Sequence, residues 1–230
     1  MKRWRTLKKI MVSWSGGKDS TLMLAKLLQD PEYEVSGLFT SINKEAGLVP
    51  FHGIPVHLLA EQAASLNLPI DFIPLPPAPS NKEYEDSMGD FLKSMKENRA
   101  EAAAFGDIFL EDIKYFREEL VSKYSVKAVF PLWGEETEAL ASHFIRNGFK
   151  AIISGIDESK VPFSQLGRLY NDSFLKSVHT GTDPCGENGE FHTFVYGGPI
   201  FKHDIPFVFR KPDQSSSSFS SLEFLKEPVT

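Results

Sequence analysis

Six consecutive residues near the start of the chain, Ser15-Gly16-Gly17-Lys18-Asp19-Ser20, have the side chains and the backbone freedom needed to bind an anion. They follow an apolar run over residues 10–12 and precede leucines at positions 24, 27 and 28, which fall on one face of a helix. A glycine turn between a strand and a helix presents backbone N–H groups and the positive end of the helix dipole. Lys18 adds a charge and the serines add hydroxyl donors. These residues, 15–20, are therefore predicted to bind phosphate and are called the phosphate segment below.

The order of residues in this segment distinguishes it from two common nucleotide-binding loops. It matches neither G-x-x-x-x-G-K-[ST] nor G-x-G-x-x-G, so the mechanisms of those loops do not transfer. An ordinary turn between a strand and a helix is the alternative, because Gly, Asp and Ser are all common there. Ser-Gly-Gly-Lys-Asp-Ser instead resembles the pyrophosphate loop of the N-type ATP pyrophosphatases. These enzymes adenylate a substrate oxygen and release pyrophosphate, which the loop holds.

A second group of polar residues lies near the end of the chain. Glu187 and Glu190 flank an Asn-Gly pair, and His192 follows two residues later. A calcium loop needs more oxygen ligands than this segment offers, and Cys185 with His192 lacks the paired spacing of a zinc site. An acidic hairpin turn at Asn-Gly is the structural alternative. The functional interpretation is an active-site loop, in which Glu187, Glu190 and His192 are candidate bases.

Three further residues are predicted to lie near a bound nucleotide. His52 follows the second predicted strand, in a loop expected to lie over the phosphate segment; a solvated loop histidine is the alternative. Gly106 and Asp107 end the fourth predicted strand, where glycine lets the backbone approach a nucleotide closely. Asp107 could bond ribose or help hold Mg²⁺ through water, or simply cap the next helix.

Apolar runs alternating with helical patterns predict a parallel, doubly wound α/β sheet over residues 1–133, with the strand order 3-2-1-4-5. Ligands of such sheets bind beyond the carboxyl ends of the strands. The pattern then becomes less regular, which predicts a smaller α+β domain over residues 134–210. Residues 211–230 are rich in serine and are predicted to form a flexible tail, although their scattered apolar residues could dock.

Composition limits the classes of partner. The 230 residues carry a net charge of −6, which argues against binding to nucleic acid, because that requires a basic surface. The sequence contains no apolar run of about 18 residues, so no transmembrane helix is expected. One cysteine cannot form an internal disulfide, and no signal peptide is evident. These features predict a cytoplasmic protein; the oligomeric state stays open.

Four segments together resemble the diphthine–ammonia ligase family. They are the phosphate segment, Pro131-Leu-Trp133, Leu166-Gly-Arg168 and Cys185-Gly-Glu-Asn-Gly-Glu-Phe191, which occur in the order typical of the family. The resemblance implies an ATP-binding domain and a smaller C-terminal domain over the site. It also implies that residues 15–20 bind the phosphates of ATP, that Gly106 and Asp107 lie by the nucleotide, and that Glu187 and Glu190 face the substrate.

The reaction implied by the resemblance converts a carboxylate to an amide, using ATP, Mg²⁺ and ammonium and releasing AMP and pyrophosphate. Asp19 would help to organise the metal, and Glu187, Glu190 or His192 would act as the base. The acceptor is either diphthine on elongation factor 2 or another carboxylate, since His192 stands where the family often has an acidic residue. Two alternatives are a non-catalytic ATP-binding regulator on the same fold and a tRNA-modifying ATP pyrophosphatase.

Overall fold

The computed structural model describes residues 7–50, 52–213 and 218–225. Within them, one sheet contains the strands β1 (Lys8–Ser13), β2 (Tyr33–Asn43), β3 (Ile70–Leu75), β4 (Ala102–Ala104) and β5 (Lys127–Val129). All pairings in this sheet are parallel, and the order is β3-β2-β1-β4-β5. The predicted doubly wound α/β fold and its strand order are therefore confirmed.

Four helices cover the two faces of this sheet: α1 (Lys18–Leu27), α2 (Val56–Leu66), α3 (Asn81–Glu97) and α4 (Glu111–Ser122). The central strand β1 shows how the faces are divided, since alternate side chains of a strand point to opposite sides. Ile10 and Val12 pack in a cluster with α1 and α2, whereas Met11 packs with α3 and α4. Both faces of the sheet are covered by helices, and the centre of β1 is accordingly apolar. The phosphate segment follows the carboxyl end of β1.

Strands β4 and β5 end earlier than the sequence predicts. Pairing stops at Ala104 and Val129, whereas the sequence predicts strands over residues 102–106 and 127–132. Gly106 and Asp107 therefore belong to the turn that follows β4, beyond the carboxyl end of the strand. This position is next to the end of β1, where the phosphate segment begins.

The remaining elements form an α+β region, as predicted. They are α5 (Thr137–Arg146), β6 (Lys150–Asp157), a 3₁₀ turn (Phe163–Gln165), α6 (Asp172–Ser177), β7 (Phe191–Gly197), β8 (Val208–Arg210), β9 (Phe219–Ser221) and β10 (Glu223–Leu225). Strand β6 pairs antiparallel with β7 and β9, and β8 pairs with β10. Phe144 and Phe194 of this region share one buried cluster with Ile10 and Leu24. The two predicted domains thus have a common core.

The prediction of a flexible tail over residues 211–230 is wrong for residues 218–225. Strand β9 continues the β7-β6 sheet, and Leu222 and Phe224 are 3% and 9% exposed. Docking of the scattered apolar residues, the alternative stated for this segment, is what the structure shows here; the serine-rich sequence has no regular apolar period that would predict a strand. The other residues of the predicted tail beyond 213 lie outside the described residues. In the part of the chain that the structure describes, every helix is too short or too polar to span a bilayer.

Candidate active site

The phosphate segment lies in the turn between β1 and α1, as predicted. Gly17 is the N-cap of α1 and has extended backbone, without a side-chain cap. The Lys18 N–H donates to the Thr193 hydroxyl at 3.0 Å, and the Gly17 N–H donates to the Ser15 hydroxyl at 3.3 Å. The Ser20 hydroxyl donates to the Gly17 carbonyl. Strand β7 therefore holds the helix start from one side, and the hydroxyls lie around it.

Lys18 is the buried cation of this turn. Its side chain is 4% exposed, and its ammonium donates to both carboxylate oxygens of Asp19, at 3.0 and 2.8 Å, and to the Cys185 carbonyl. The ring of Phe191 lies 5.5 Å from the ammonium. Burial opposes the charge, but Asp19 and the other acidic groups outweigh it and hold the pKa of Lys18 above its ordinary value. Lys18 is therefore a fixed positive charge at neutral pH.

A cavity of about 210 Å³ opens in front of the phosphate segment. It collects residues from distant parts of the chain, and every predicted site residue lines it except Gly16 and Glu190. The residues that line it are Ser13, Ser15, Gly17, Lys18, Asp19, Ser20, His52, Gly106, Asp107, Arg117, Cys185, Gly186, Glu187, Gly189, Phe191, His192 and Thr193.

Gly16 shapes the phosphate segment from behind instead of lining the cavity. Its φ is +78°, in the left-handed region that glycine adopts without steric cost. Its carbonyl accepts hydrogen bonds from the Val195 N–H at 2.9 Å and from Gln62 Nε2 at 3.1 Å. A Cβ atom at this position would lie 2.7 Å from Leu59 Cδ2. The turn therefore needs glycine here for two separate reasons.

We expect Gly16→Ala to lower the free energy of unfolding by about 2–4 kcal/mol, because left-handed strain adds to overpacking against Leu59. Gly134→Ala is a matched control, since Gly134 also has a positive φ of +73° but no atom within 4 Å of its added Cβ. That variant should lose only the strain, about 1 kcal/mol. Urea unfolding measures both, and equal losses would contradict the packing argument.

Glu187 connects the C-terminal loop to the turn after β4. Its Oε1 accepts a hydrogen bond from the Ile108 N–H at 2.8 Å, and its carboxyl group lines the cavity. Burial raises the pKa of the Glu187 carboxyl to about 7; the hydrogen bond from the Ile108 N–H opposes this rise and the charge of Asp19 supports it. A carboxyl group with this pKa exchanges a proton near neutral pH, as a general base must.

Glu190 is placed differently. It is 3% exposed, and its Oε1 accepts hydrogen bonds from the Asp183 N–H and from Asn188 Nδ2, both at 3.2 Å. The Asp183 carboxylate in turn accepts from the Cys185 N–H at 2.8 Å. These bonds fix the shape of the loop from inside, and the Glu190 carboxyl group does not reach the cavity wall.

His52 and His192 pack against each other at the cavity wall, with ring centroids 4.4 Å apart. Burial, followed by Lys18, lowers the pKa of His192 to about 4. Burial, His192 and Lys18 hold the pKa of His52 well below its usual range. Both imidazoles are therefore neutral at pH 7. His52 Nδ1 is buried and has no hydrogen-bond partner among the described residues, which leaves a polar atom for a ligand.

Arg117 is a cavity residue that the sequence did not reveal. Its Nε lies 2.7 Å from Asp107 Oδ2, and its guanidinium lies 4.7 Å from the centre of the Phe105 ring. Asp107 therefore holds an arginine at the cavity wall. On the sequence, Arg117 is one of several charged residues in a helix, and no motif marks it. Arg168, by contrast, is exposed and faces a different cavity.

A second cavity, of about 880 Å³, adjoins the first and shares Ser13, Ser15, His52 and Arg117 with it. It lies at the carboxyl ends of β2 and β3, which is the expected position for a ligand of an open α/β sheet. Apolar side chains and a few polar groups line it, as is typical of small-molecule sites. Its other lining residues include Trp14, Thr40, Ser41, Leu48, Val49, Tyr84, Met88, Phe219 and Ser221.

Comparison with known families accounts for most of the chain. The model of the diphthamide synthase N-terminal domain matches residues 8–128, and that of the diphthamide synthase C-terminal domain matches residues 136–215. The chain belongs to the diphthamide synthase family. The resemblance drawn from the four sequence segments is thus confirmed. The predicted boundary at residues 133–134 falls in the interval between the two models and stays a prediction.

Individual relatives in this family are more distant. The diphthine–ammonia ligase of Danio rerio is 23% identical over 159 residues, which are 66% of this chain and 60% of the relative. That of Rattus norvegicus is 32% identical over 130 residues, 54% of this chain and 48% of the relative. The chain thus spans about half to three fifths of the curated relatives that it matches.

Among solved structures, the chain is similar to the U34-tRNA thiolase NcsA from Methanococcus maripaludis with its [4Fe-4S] cluster. The TM-score is 0.35 and the identity 19%, over 61% of this chain and 58% of the other.

Proposed function

We propose that this protein is an ATP-dependent ligase that adenylates a carboxylate, releases pyrophosphate and forms an amide with ammonium. One observation carries the proposal. A single cavity brings the buried Lys18 and the start of α1 opposite Glu187 and His192, which come from a distant part of the chain. Lys18 and the start of α1 are suited to binding phosphate, which adenylation requires. Glu187 and His192 are suited to proton transfer, which amidation requires.

In this proposal ATP would lie across the two adjoining cavities. The β- and γ-phosphates would lie at the small cavity against Lys18 and the first turn of α1, where the helix dipole favours negative charge. The nucleoside would extend into the larger cavity, past His52. Asp19 would hold Mg²⁺, because Mg²⁺ bound to nucleotide phosphates needs only one or two protein carboxylates. When bound, that ion neutralises charge on the leaving pyrophosphate.

The chemistry has two steps. A carboxylate oxygen of the acceptor attacks the α-phosphorus, and the bond to the bridging oxygen breaks, so that pyrophosphate leaves. Lys18 and the backbone N–H groups of the phosphate segment stabilise the charge that develops on it. Ammonia then attacks the acyl carbon of the adenylate and AMP leaves. Glu187 takes the proton released from nitrogen, and the neutral His192 beside it is the second candidate for this role.

The acceptor is diphthine on elongation factor 2 in this proposal, by analogy with the named relatives, or another carboxylate of similar exposure. His192 bears on this choice because its neutral imidazole stands where the family often has a carboxylate. Free ammonium is the nitrogen source, since a glutaminase would need a nucleophilic thiol. The one cysteine, Cys185, is buried, and burial raises the pKa of its thiol to about 12.

The test measures which phosphate bond is broken. With ATP, Mg²⁺ and elongation factor 2 that carries diphthine, labelled pyrophosphate should exchange into ATP before ammonium is added. Addition of ammonium should then yield AMP, pyrophosphate and amide in equal amounts. Formation of ADP would overturn the proposal. Exchange with a different carboxylate but none with diphthine would keep the ligase chemistry and reject this acceptor.

Two other functions make different predictions in the same assay. A regulator on this fold would bind ATP without producing AMP under any condition. A tRNA-modifying enzyme would produce AMP only with tRNA, and a thiolating one would need a reactive cysteine. The raised pKa of Cys185 and the net charge of −6 both disfavour the latter.

A further inference from the structure

Strand β9 lies outside both family models, the second of which ends at residue 215, yet it reaches the candidate site. It extends the β7-β6 sheet by pairing antiparallel with β6, with Gly155 opposite Ser221 and Asp157 opposite Phe219. On the other side of β6, Gly155 is opposite His192 of β7. Gly155 of β6 therefore lies between His192 of β7 on one side and Ser221 of β9 on the other.

The alternation of side chains along β9 separates two roles. Phe219 and Ser221 point to the same side, as alternate residues of a strand do, and both line the larger cavity. Ser220 points to the opposite side, is 3% exposed and donates to Glu158 Oε1 at 2.5 Å. One side of β9 thus attaches the strand to the protein, and the other side forms cavity wall.

Phe219 also contacts the histidine pair. Its ring centroid lies 5.5 Å from that of His192, which lies 4.4 Å from that of His52, so the three rings form a continuous row. Gly155 makes this possible, because a Cβ there would lie 2.9 Å from Phe219 Cζ. Ser221 approaches the loop of His52, since a Cβ on Gly53 would lie 3.5 Å from Ser221 Oγ. β9 therefore touches the segments that carry both histidines.

We propose that β9 is a wall of the nucleotide site, where Ser221 bounds the space for the nucleoside and Phe219 is a positioning residue for His192 and His52. The inference rests on the proposed binding of ATP. The ligand is the nucleoside part of ATP next to its phosphates. The polar atom of this row is the buried Nδ1 of His52, which has no hydrogen-bond partner among the described residues. Specificity for the nucleotide thus depends partly on residues after the segment shared with the family.

The first test compares two Phe→Ala variants of the same C-terminal segment. Phe219→Ala should raise the Kd for ATP, measured with Mg²⁺ by calorimetry, at least tenfold, and Phe219→Tyr should restore it. Phe224→Ala is the control, because Phe224 is buried against Phe194 and Phe207 and does not line either cavity. It should leave the Kd within twofold of the wild-type value. Equal values for Phe219→Ala and wild type would overturn the role of Phe219 in binding.

The second test detects positioning directly. Lys18 is the charged group that acts on the pKa of His192, His52 is the titratable ring packed against it, and Glu187 and Asp19 line the same cavity. Phe219→Ala should expose the His192 ring and move its pKa from about 4 toward its ordinary value of 6.5, as followed by NMR of the ring protons. Phe224→Ala should not move it. An unchanged pKa in Phe219→Ala would reject the positioning role.

A third variant keeps the inference testable if Phe219→Ala does not fold. Ser221→Leu adds bulk to the wall without removing packing, and it should also raise the Kd for ATP. Unchanged binding would show that β9 does not bound the nucleotide. If the wild-type protein does not bind ATP, the proposed function fails, whereas the NMR comparison still decides whether β9 positions the histidines.

Discussion

Lys18→Met should lower the rate of pyrophosphate release from ATP about a hundred- to a thousandfold, the usual loss when a preorganised donor to a developing negative charge is removed. Methionine has a similar length and packs in an apolar environment, but it carries no charge. The half-buried Asp19 carboxylate would lose its cation, and the phosphates would lose theirs. The production of AMP with ATP, Mg²⁺, ammonium and elongation factor 2 that carries diphthine measures the effect.

Lys26→Met is the matched control for this prediction. Lys26 lies on the same helix and pairs with Glu135 at the surface, where its side chain is 40% exposed. Exposed ion pairs contribute little to stability, about 0–1 kcal/mol. We therefore expect the rate of Lys26→Met to stay within twofold of wild type. If Lys18→Met has the wild-type rate, Lys18 has no role in the mechanism. If the wild-type protein produces no AMP and Lys18→Met only binds ATP more weakly, the protein is the regulator.

Glu187→Gln should abolish the ionisation near pH 7 from the pH–rate profile and lower the rate at pH 8 by about a hundred- to ten-thousandfold. The raised pKa of Glu187 determines how the wild-type rate changes with pH. Below about pH 7 the wild-type carboxyl group is protonated and cannot accept a proton, so the rate should fall about tenfold per pH unit. Above pH 7 it is ionised and the rate should level off. The profile must be measured at a constant concentration of free ammonia, because the ammonium equilibrium itself changes with pH.

Glu190→Gln separates the two carboxylates of the same loop. Its amide oxygen can still accept from the Asp183 N–H, and its side chain does not line the cavity. We expect this variant to keep the ionisation near pH 7, whatever its absolute rate. If the ionisation disappears in Glu190→Gln and persists in Glu187→Gln, the roles of the two residues must be exchanged.

Local patterns predicted the position of the candidate site in the fold where its residues are contiguous in sequence. The phosphate segment is an example, since its glycines, its lysine and the flanking strand and helix are contiguous. The fold could be predicted because β1 to β5 are separated by helical patterns of ordinary length. The convergence of Glu187 and His192 on Lys18 could not be read from spacing, and it was inferred only through the family resemblance.

The sequence was least informative where tertiary contacts decide a role. Arg117 faces the cavity because Asp107 and Phe105 hold it there, and nothing adjacent in sequence marks it. Glu187 and Glu190 look equivalent in an Asn-Gly loop, but Glu187 accepts a hydrogen bond from the turn after β4, whereas Glu190 accepts one from within its own loop. Strand β9 forms because β6 offers a free edge and a glycine that admits Phe219, both far from residue 219 in sequence.

Gln62 connects the phosphate segment to the rest of the protein. It is fully buried, accepts from Trp14 Nε1 at 2.8 Å and donates to the Gly16 carbonyl at 3.1 Å and to the Val195 carbonyl at 2.6 Å. One amide thus joins helix α2, the phosphate turn and strand β7. Local opening of the turn would leave buried polar groups without hydrogen-bond partners, and each such group costs about 1–3 kcal/mol of free energy. Its geometry should persist until the whole chain unfolds cooperatively, so the two halves recognised as separate sequence families would behave as a single thermodynamic unit.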